Sequence, residues 1–127
     1  MFRVIENLPE DVLGIGLHGK ITHEDYVDGI IPMFEEKLEK HRPLRVLTLI
    51  NPNFEGFEIA AMWDDVTYGL KHWGDISHIA VVCDGPSWIK SSVALFAPFF
   101  PGEVRSYDME EMGIAREWIS DPKSLAA

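Results

Sequence analysis

Apolar residues along this chain fall into short unbroken runs, separated by stretches in which they recur every three or four positions. The run Leu44-Arg45-Val46-Leu47-Thr48-Leu49-Ile50-Asn51 is apolar on both alternating sets and lies between Pro43 and Pro52. That pattern predicts a central strand covered on both faces, as in a mixed or parallel sheet. Ile76 to Asp84 reads in the same way, and Glu103 to Tyr107 predicts a short last strand. Phe2 to Glu6 and Val12 to His18 are joined by the short loop Asn7 to Asp11, which predicts an antiparallel hairpin at the start of the sheet.

Between these runs the period changes to that of a helix. Thr22 and Asp25 have the spacing of a capping box, and Val27, Ile30, Ile31, Phe34 and Leu38 come after them as one stripe, predicting a helix from about His23 to Lys40. Pro32 lacks a backbone donor, so a kink or break is expected near Gly29 to Ile31. Ile59, Met62, Trp63, Val66, Leu70 and Trp73 form a second stripe, read as a core face, with Asp64, Asp65, Thr67, Lys71 and His72 outside it and Gly74 as the stop. Tyr68 joins Trp63 and Trp73 as a core candidate. Gly85-Pro86 opens a third helix with Pro86 at its first position. Asp108 with Glu111 caps a fourth, running through Met112, Ala115 and Ile119.

Strand, strand, helix, then alternating strands and helices predict an α/β fold. The sheet should be mixed, with about five strands, parallel except for the first, and helices on both faces. One domain over residues 1–120 is expected, with residues 121–127 as a tail. A chain of 127 residues is long enough to bury a core without disulfides or metals.

Composition narrows the function more than it defines it. Eleven Lys and Arg against 21 Asp and Glu give a net charge of -10, the wrong sign for nucleic acid, so none is expected as a partner. Contact with anionic lipid would have to rest on apolar surface. The single cysteine, Cys83, lies in an apolar strand and reads as buried and structural; a reducing cytoplasm is the expected location. The first six residues contain no long apolar run, so neither a signal peptide nor a membrane span is expected there.

The loops Asn51-Pro52-Asn53-Phe54-Glu55-Gly56 and Asp84-Gly85-Pro86 lack the glycine spacing that cradles phosphates, so no nucleotide cofactor is expected. The five histidines include no i, i+4 pair, so no metal site is expected. Asn51 and Asp84 end predicted central strands and could meet at the sheet rim to handle a proton or orient a ligand; the alternative is that each caps the helix after its strand. No nucleophile, base and orienting group can be named together, so an enzyme is not expected.

The stretch Ser87 to Gly102 carries more apolar surface than one core face needs. Ile89, Val93, Phe96 and Phe100 make one stripe, and Trp88, Leu95 and Phe99 make another. The second stripe either covers a pocket, meets a partner, lies exposed as an interaction patch or is simply sandwiched in the core. Phe54 and Phe57 add two aromatic rings to the loop after the central strand, where they either staple the next helix or join the same apolar site. If these side chains converge, Asn51, Phe54, Phe57, Trp88, Leu95 and Phe99 form a ligand site. The helix broken at Pro32 would then be its movable cover.

The chain resembles the SpoIIAA-like family, related to the STAS domains of anti-sigma-factor antagonists. The resemblance is carried by the opening Met1-Phe2-Arg3-Val4-Ile5, by Leu13-Gly14-Ile15-Gly16-Leu17-His18-Gly19-Lys20-Ile21-Thr22, by Asp25-Tyr26, by Arg45-Val46-Leu47 and by Trp118-Ile119. It implies a STAS-like α/β domain similar in fold to CRAL-TRIO-type lipid carriers. Phosphorylatable antagonists carry a serine or threonine after a central strand, and residues Asn51 to Met62 contain neither, so the phospho-switch does not transfer. The expected function is a non-enzymatic binding module for an apolar or lipid-like ligand, or one making transient peripheral membrane contact. The alternative is a regulatory protein-interaction domain, including a homodimer in which two copies share the second apolar stripe.

Overall fold

The computed structural model describes residues 1–72, 74–84 and 87–122, with residues 87–90 described by their backbone. The elements run β1 (Phe2–Val4), β2 (Val12–Leu17), β3 (Lys20–Ile21), α1 (His23–Asp25), a π-helical turn (Tyr26–Ile30), α2 (Ile31–Lys40), β4 (Leu44–Ile50), β5 (Gly56–Phe57), α3 (Ile59–Lys71), β6 (Ile76–Val82), α4 (Ser87–Phe96), β7 (Glu103–Tyr107) and α5 (Met112–Ser120). The expected opening of α4 at Gly85-Pro86, Trp73 and most of the expected tail lie outside the described residues.

Five strands form one sheet in the order β1-β2-β4-β6-β7. β1 runs antiparallel to β2, with Phe2 opposite Leu17, and every other neighbour is parallel. The predicted mixed sheet is thus found, with β4 at its centre: Leu47 faces Gly14 on one side and Ala80 on the other. A separate parallel ladder joins Lys20 to Gly56 and Ile21 to Phe57. Strands of two residues are too short to leave a period in the sequence, which does not predict this pair.

Side-chain alternation divides the core into two. Leu13, Ile15 and Leu17 of β2 and Leu44, Val46 and Ile50 of β4 face a layer formed by the π turn and α2, where Tyr26, Ile30, Phe34 and Leu38 are buried. Val12, Leu47, Ala80, Val82 and Tyr107 face the other way, onto Ala115, Trp118 and Ile119 of α5. Helices therefore cover both faces. Full burial of each aliphatic side chain contributes roughly 1.5–3 kcal/mol, so this double-sided burial is what holds β4 at the centre. On the α5 side Arg45 donates to the carbonyl oxygens of Ile119 and Ser120 and pairs with Asp11, and Arg105 lies 4.6 Å over the Trp118 ring.

The expected break before Pro32 is a π turn. Thr22 Oγ1 accepts from the Asp25 N–H and Asp25 Oδ2 accepts from the Thr22 N–H, completing the predicted capping box. The next turn closes from the Ile31 N–H back to the Tyr26 carbonyl, one residue wider than an α turn. The helical phase slips with it. Tyr26 is buried in the place the sequence stripe assigns to Val27, and Val27 is exposed.

The larger correction concerns α3. Its apolar stripe of Ile59, Met62, Trp63, Val66 and Leu70 points to solvent, with Trp63 69% exposed, and Ala61 is its one buried residue. Polar contacts set the orientation instead. Asp64 pairs with the His23 ring, and Asp65 accepts from the Tyr26 hydroxyl at 2.8 Å. Turning the stripe inward would break both contacts and expose the Tyr68 and His72 rings, which meet at a tilt with centroids 4.5 Å apart.

Candidate functional site

Because α3 turns its small and polar side to the sheet, the sheet beneath it is incompletely covered. A cavity of about 490 Å³ lies between them, within the range of small-ligand sites. Ile15, Leu17, Val46, Thr48 and Ile50 form one part of its floor, and Ile79 and Val81 of β6 the other. Tyr26, Ile30 and Phe34 make one wall, and Ser92, Val93 and Phe96 of α4 border it opposite. Gly69 of α3 also faces it, and a Cβ placed there meets nothing within 4 Å.

The loop after β4 supplies the aromatic rim. Gly56 adopts φ +108, a conformation that side-chain-bearing residues rarely take, and so permits the turn that brings Phe54 and Phe57 to the cavity. The two rings meet edge to face with centroids 5.3 Å apart, and Phe57 lies 6.3 Å from Tyr26. Glu55 N–H and Glu58 N–H donate to the carbonyls of Gly19 and Ile21, fixing the loop beside β3.

Two clusters of titratable side chains interrupt the apolar wall, Asp65 with Tyr26 and His72 with Tyr68. Asp65 opens onto the cavity and remains exposed to solvent there; partial desolvation by the surrounding protein pushes its carboxyl pKa up, against the lowering effect of the Tyr26 hydrogen bond. Burial likewise pushes the Tyr26 phenol up, with Asp65 adding to the shift. At the other end His72 Nδ1 meets Asp75 Oδ2 at 2.7 Å, and Arg42 pairs with the same carboxylate at 3.1 Å. The His72 hydrogen bond, with Arg42 beside it, holds Asp75 below the usual carboxylate range despite partial burial. The Tyr68 phenol is pushed up to about 12 by burial and by the nearby Glu35 and Asp75 carboxylates.

The residues singled out from sequence divide. Phe54 and Phe57 line the cavity. Asn51 does not: its side chain accepts from the Asn53 N–H at 3.2 Å, an Asx turn within the loop and not the expected cap on α3, whose N-cap is Glu58. Phe99 does not converge with them either, since it is 76% exposed in a short 3-10 turn, and Leu95 is 75% exposed on α4. These two belong to a surface patch, because α4 turns Val93 and Phe96 toward the cavity and Leu95 outward. The Trp88 side chain lies outside the described residues. Asp84 caps a later turn by accepting from the Met109 N–H, Cys83 is buried as expected, and no metal-ligand cluster occurs among the described residues. Sequence reasoning missed Tyr26, Asp65, Tyr68, Gly69 and His72 as cavity residues; the signal available was the polar row Asp65, Tyr68 and His72 along one side of α3.

The sequence pattern of the SpoIIAA-like family matches residues 12–120 of this chain. The chain belongs to the SpoIIAA-like family. A solved structure of an uncharacterised protein with a SpoIIAA-like fold from Shewanella loihica is 26% identical in sequence, with 93% of each chain covered and a TM-score of 0.72. A search of curated proteins found no match. The element order implied an α/β fold with a mixed sheet, and the SpoIIAA-like fold is the one that the family resemblance implied. No helix among its described residues is long and apolar enough to cross a membrane.

Proposed function

We propose that this SpoIIAA-like domain is a non-enzymatic binding module that holds an apolar, lipid-sized ligand between its sheet and helix α3. The observation that carries this reading is the 490 Å³ cavity, whose floor is branched aliphatic side chains and whose rim is Phe54 and Phe57. Filling it removes from water the sheet surface at Ile76, Ile79 and Val81 that α3 leaves partly covered. Native mass spectrometry of the purified protein, with titration of the neutral fluorescent probe N-phenyl-1-naphthylamine, tests the reading. Gly69→Leu places a side chain in the empty space and is expected to abolish probe binding while the fold is retained. Equal binding by wild type and Gly69→Leu, or no binding and no co-purified ligand, would overturn it.

A second reading rests on a different observation, the outward stripe of α3 together with Leu95 and Phe99. Such a face supports peripheral membrane contact or a regulatory protein interaction, including pairing of two copies. Liposome flotation and light scattering separate these: flotation lost on Trp63→Asp supports the membrane, and a dimer mass lost on the same change supports self-association.

A further inference from the structure

Resting on the cavity as a site for an apolar ligand, we propose that its occupant is an amphiphile with a hydrogen-bond-donating head, an amine or a hydroxyl, rather than a carboxylate or phosphate. Asp65 is the reason. Its carboxylate borders the cavity and takes one hydrogen bond, from Tyr26, among the described residues. An ionised carboxylate offers about four acceptor positions, so acceptor capacity remains for a ligand donor. Thr48 places a hydroxyl on the floor of the same cavity.

An anionic head finds no cationic partner. No lysine or arginine borders the cavity among the described residues. The one basic ring there, His72, has its Nδ1 against the Asp75 carboxylate, which Arg42 also engages, so Nδ1 carries the proton and the buried Nε2, unpartnered among the described residues, is left as an acceptor that also calls for a ligand donor. The Tyr68 hydroxyl, likewise buried without a hydrogen-bond partner among those residues, serves either kind of head. Asp64, next to Asp65, adds negative charge that reaches the Tyr26 phenol. A carboxylate or phosphate drawn from water to this wall would be an unpaired charge beside a like charge. An ammonium head would instead gain a charge-assisted hydrogen bond, and a hydroxyl a neutral one, while the chain covers Ile50, Ile79 and Val81.

Displacement of N-phenyl-1-naphthylamine by dodecylamine, 1-dodecanol and dodecanoate, matched in chain length, tests the assignment on the intact protein. Dodecylamine and dodecanol should displace the probe at concentrations about ten-fold or more below that of dodecanoate. Asp65→Asn keeps an acceptor for Tyr26 and should erase the advantage of the amine over dodecanoate, each measured against that variant's own probe affinity. Glu39→Gln removes an equal charge from an exposed position outside the cavity and should leave the preference intact. Probe binding with no preference between heads, or an amine preference that survives Asp65→Asn, overturns the assignment but not the cavity. Absence of probe binding removes both. Should Asp65→Asn fail to fold, the wild-type series decides alone.

Discussion

The Tyr26 hydroxyl donates to Asp65 Oδ1 at 2.8 Å, tying the π turn to α3 across 39 positions of sequence. That bond closes one corner of the cavity and keeps the polar side of α3 inward. Tyr26→Phe retains the ring against Phe57 but leaves Asp65 without this donor. A loss of about 1 kcal/mol is expected, since Asp65 remains open to the cavity and can be hydrated, which at this size lowers Tm by on the order of 4 °C. Thermal melts by circular dichroism check it, and an unchanged Tm would mean the bond does not hold α3.

The orientation of α3 can be decided by two alanine substitutions. Trp63→Ala removes an exposed side chain and should change stability by no more than about 0.5 kcal/mol, whereas Leu47→Ala empties a fully buried site and should cost about 2–5 kcal/mol. Urea unfolding measures both. A large loss at Trp63 would place the apolar stripe of α3 in the core.

Two glycines should respond in opposite directions. Gly69→Ala adds a methyl group where nothing lies within 4 Å and improves helix propensity, so a gain of roughly 0.5–1 kcal/mol is expected. At Gly102 a Cβ would run into the Ser77 carbonyl oxygen of the backbone, and Gly102→Ala should cost about 1–3 kcal/mol. Denaturant midpoints of the two variants check the signs.

Acid should weaken the fold through Asp25 and Asp75. Both carboxyls are held below the ordinary 3.8: Asp25 because the Thr22 hydrogen bonds and the N-terminal ammonium outweigh burial, and Asp75 chiefly because of His72. Their contribution is present above the ordinary carboxylate value and is lost as pH falls through the lowered folded values. His23 has the opposite sign. The Asp64 hydrogen bond raises its pKa above the ordinary 6.5, so its contribution is present below that value and disappears as pH rises through the folded value. Tm measured against pH should therefore fall on the acid side, less so in Asp75→Asn, and show a small alkaline decline that Asp64→Asn removes.

The sheet was legible because strands buried on both faces must be apolar at every position, as at Leu44 to Ile50, and because caps such as Thr22-Asp25 and Asp108-Glu111 depend on local spacing. The α3 face was not. A stripe of large apolar residues normally marks the core, and the Asp64 and Asp65 contacts that turn it outward reach partners about forty residues away. Of the apolar site, Phe54 and Phe57 were visible as aromatic residues in a loop that needed none. The sequence left open whether Leu95 and Phe99 belong to a pocket or to a surface patch, because two stripes compete for one cavity and spacing alone does not say which one wins.

The π turn makes the cavity sensitive to chain length as well as to residue type. Its wider turn is what brings Tyr26 into line with Ile30 and Phe34. Inserting one residue between Tyr26 and Ile30 would leave every lining side chain present yet rotate Tyr26 by about 100° relative to α2. Asp65 would lose its donor without a single substitution. A one-residue insertion, harmless in many surface loops, would here uncouple the two walls of the cavity, whereas a one-residue deletion would only turn the π turn into an α turn and keep Tyr26 inward.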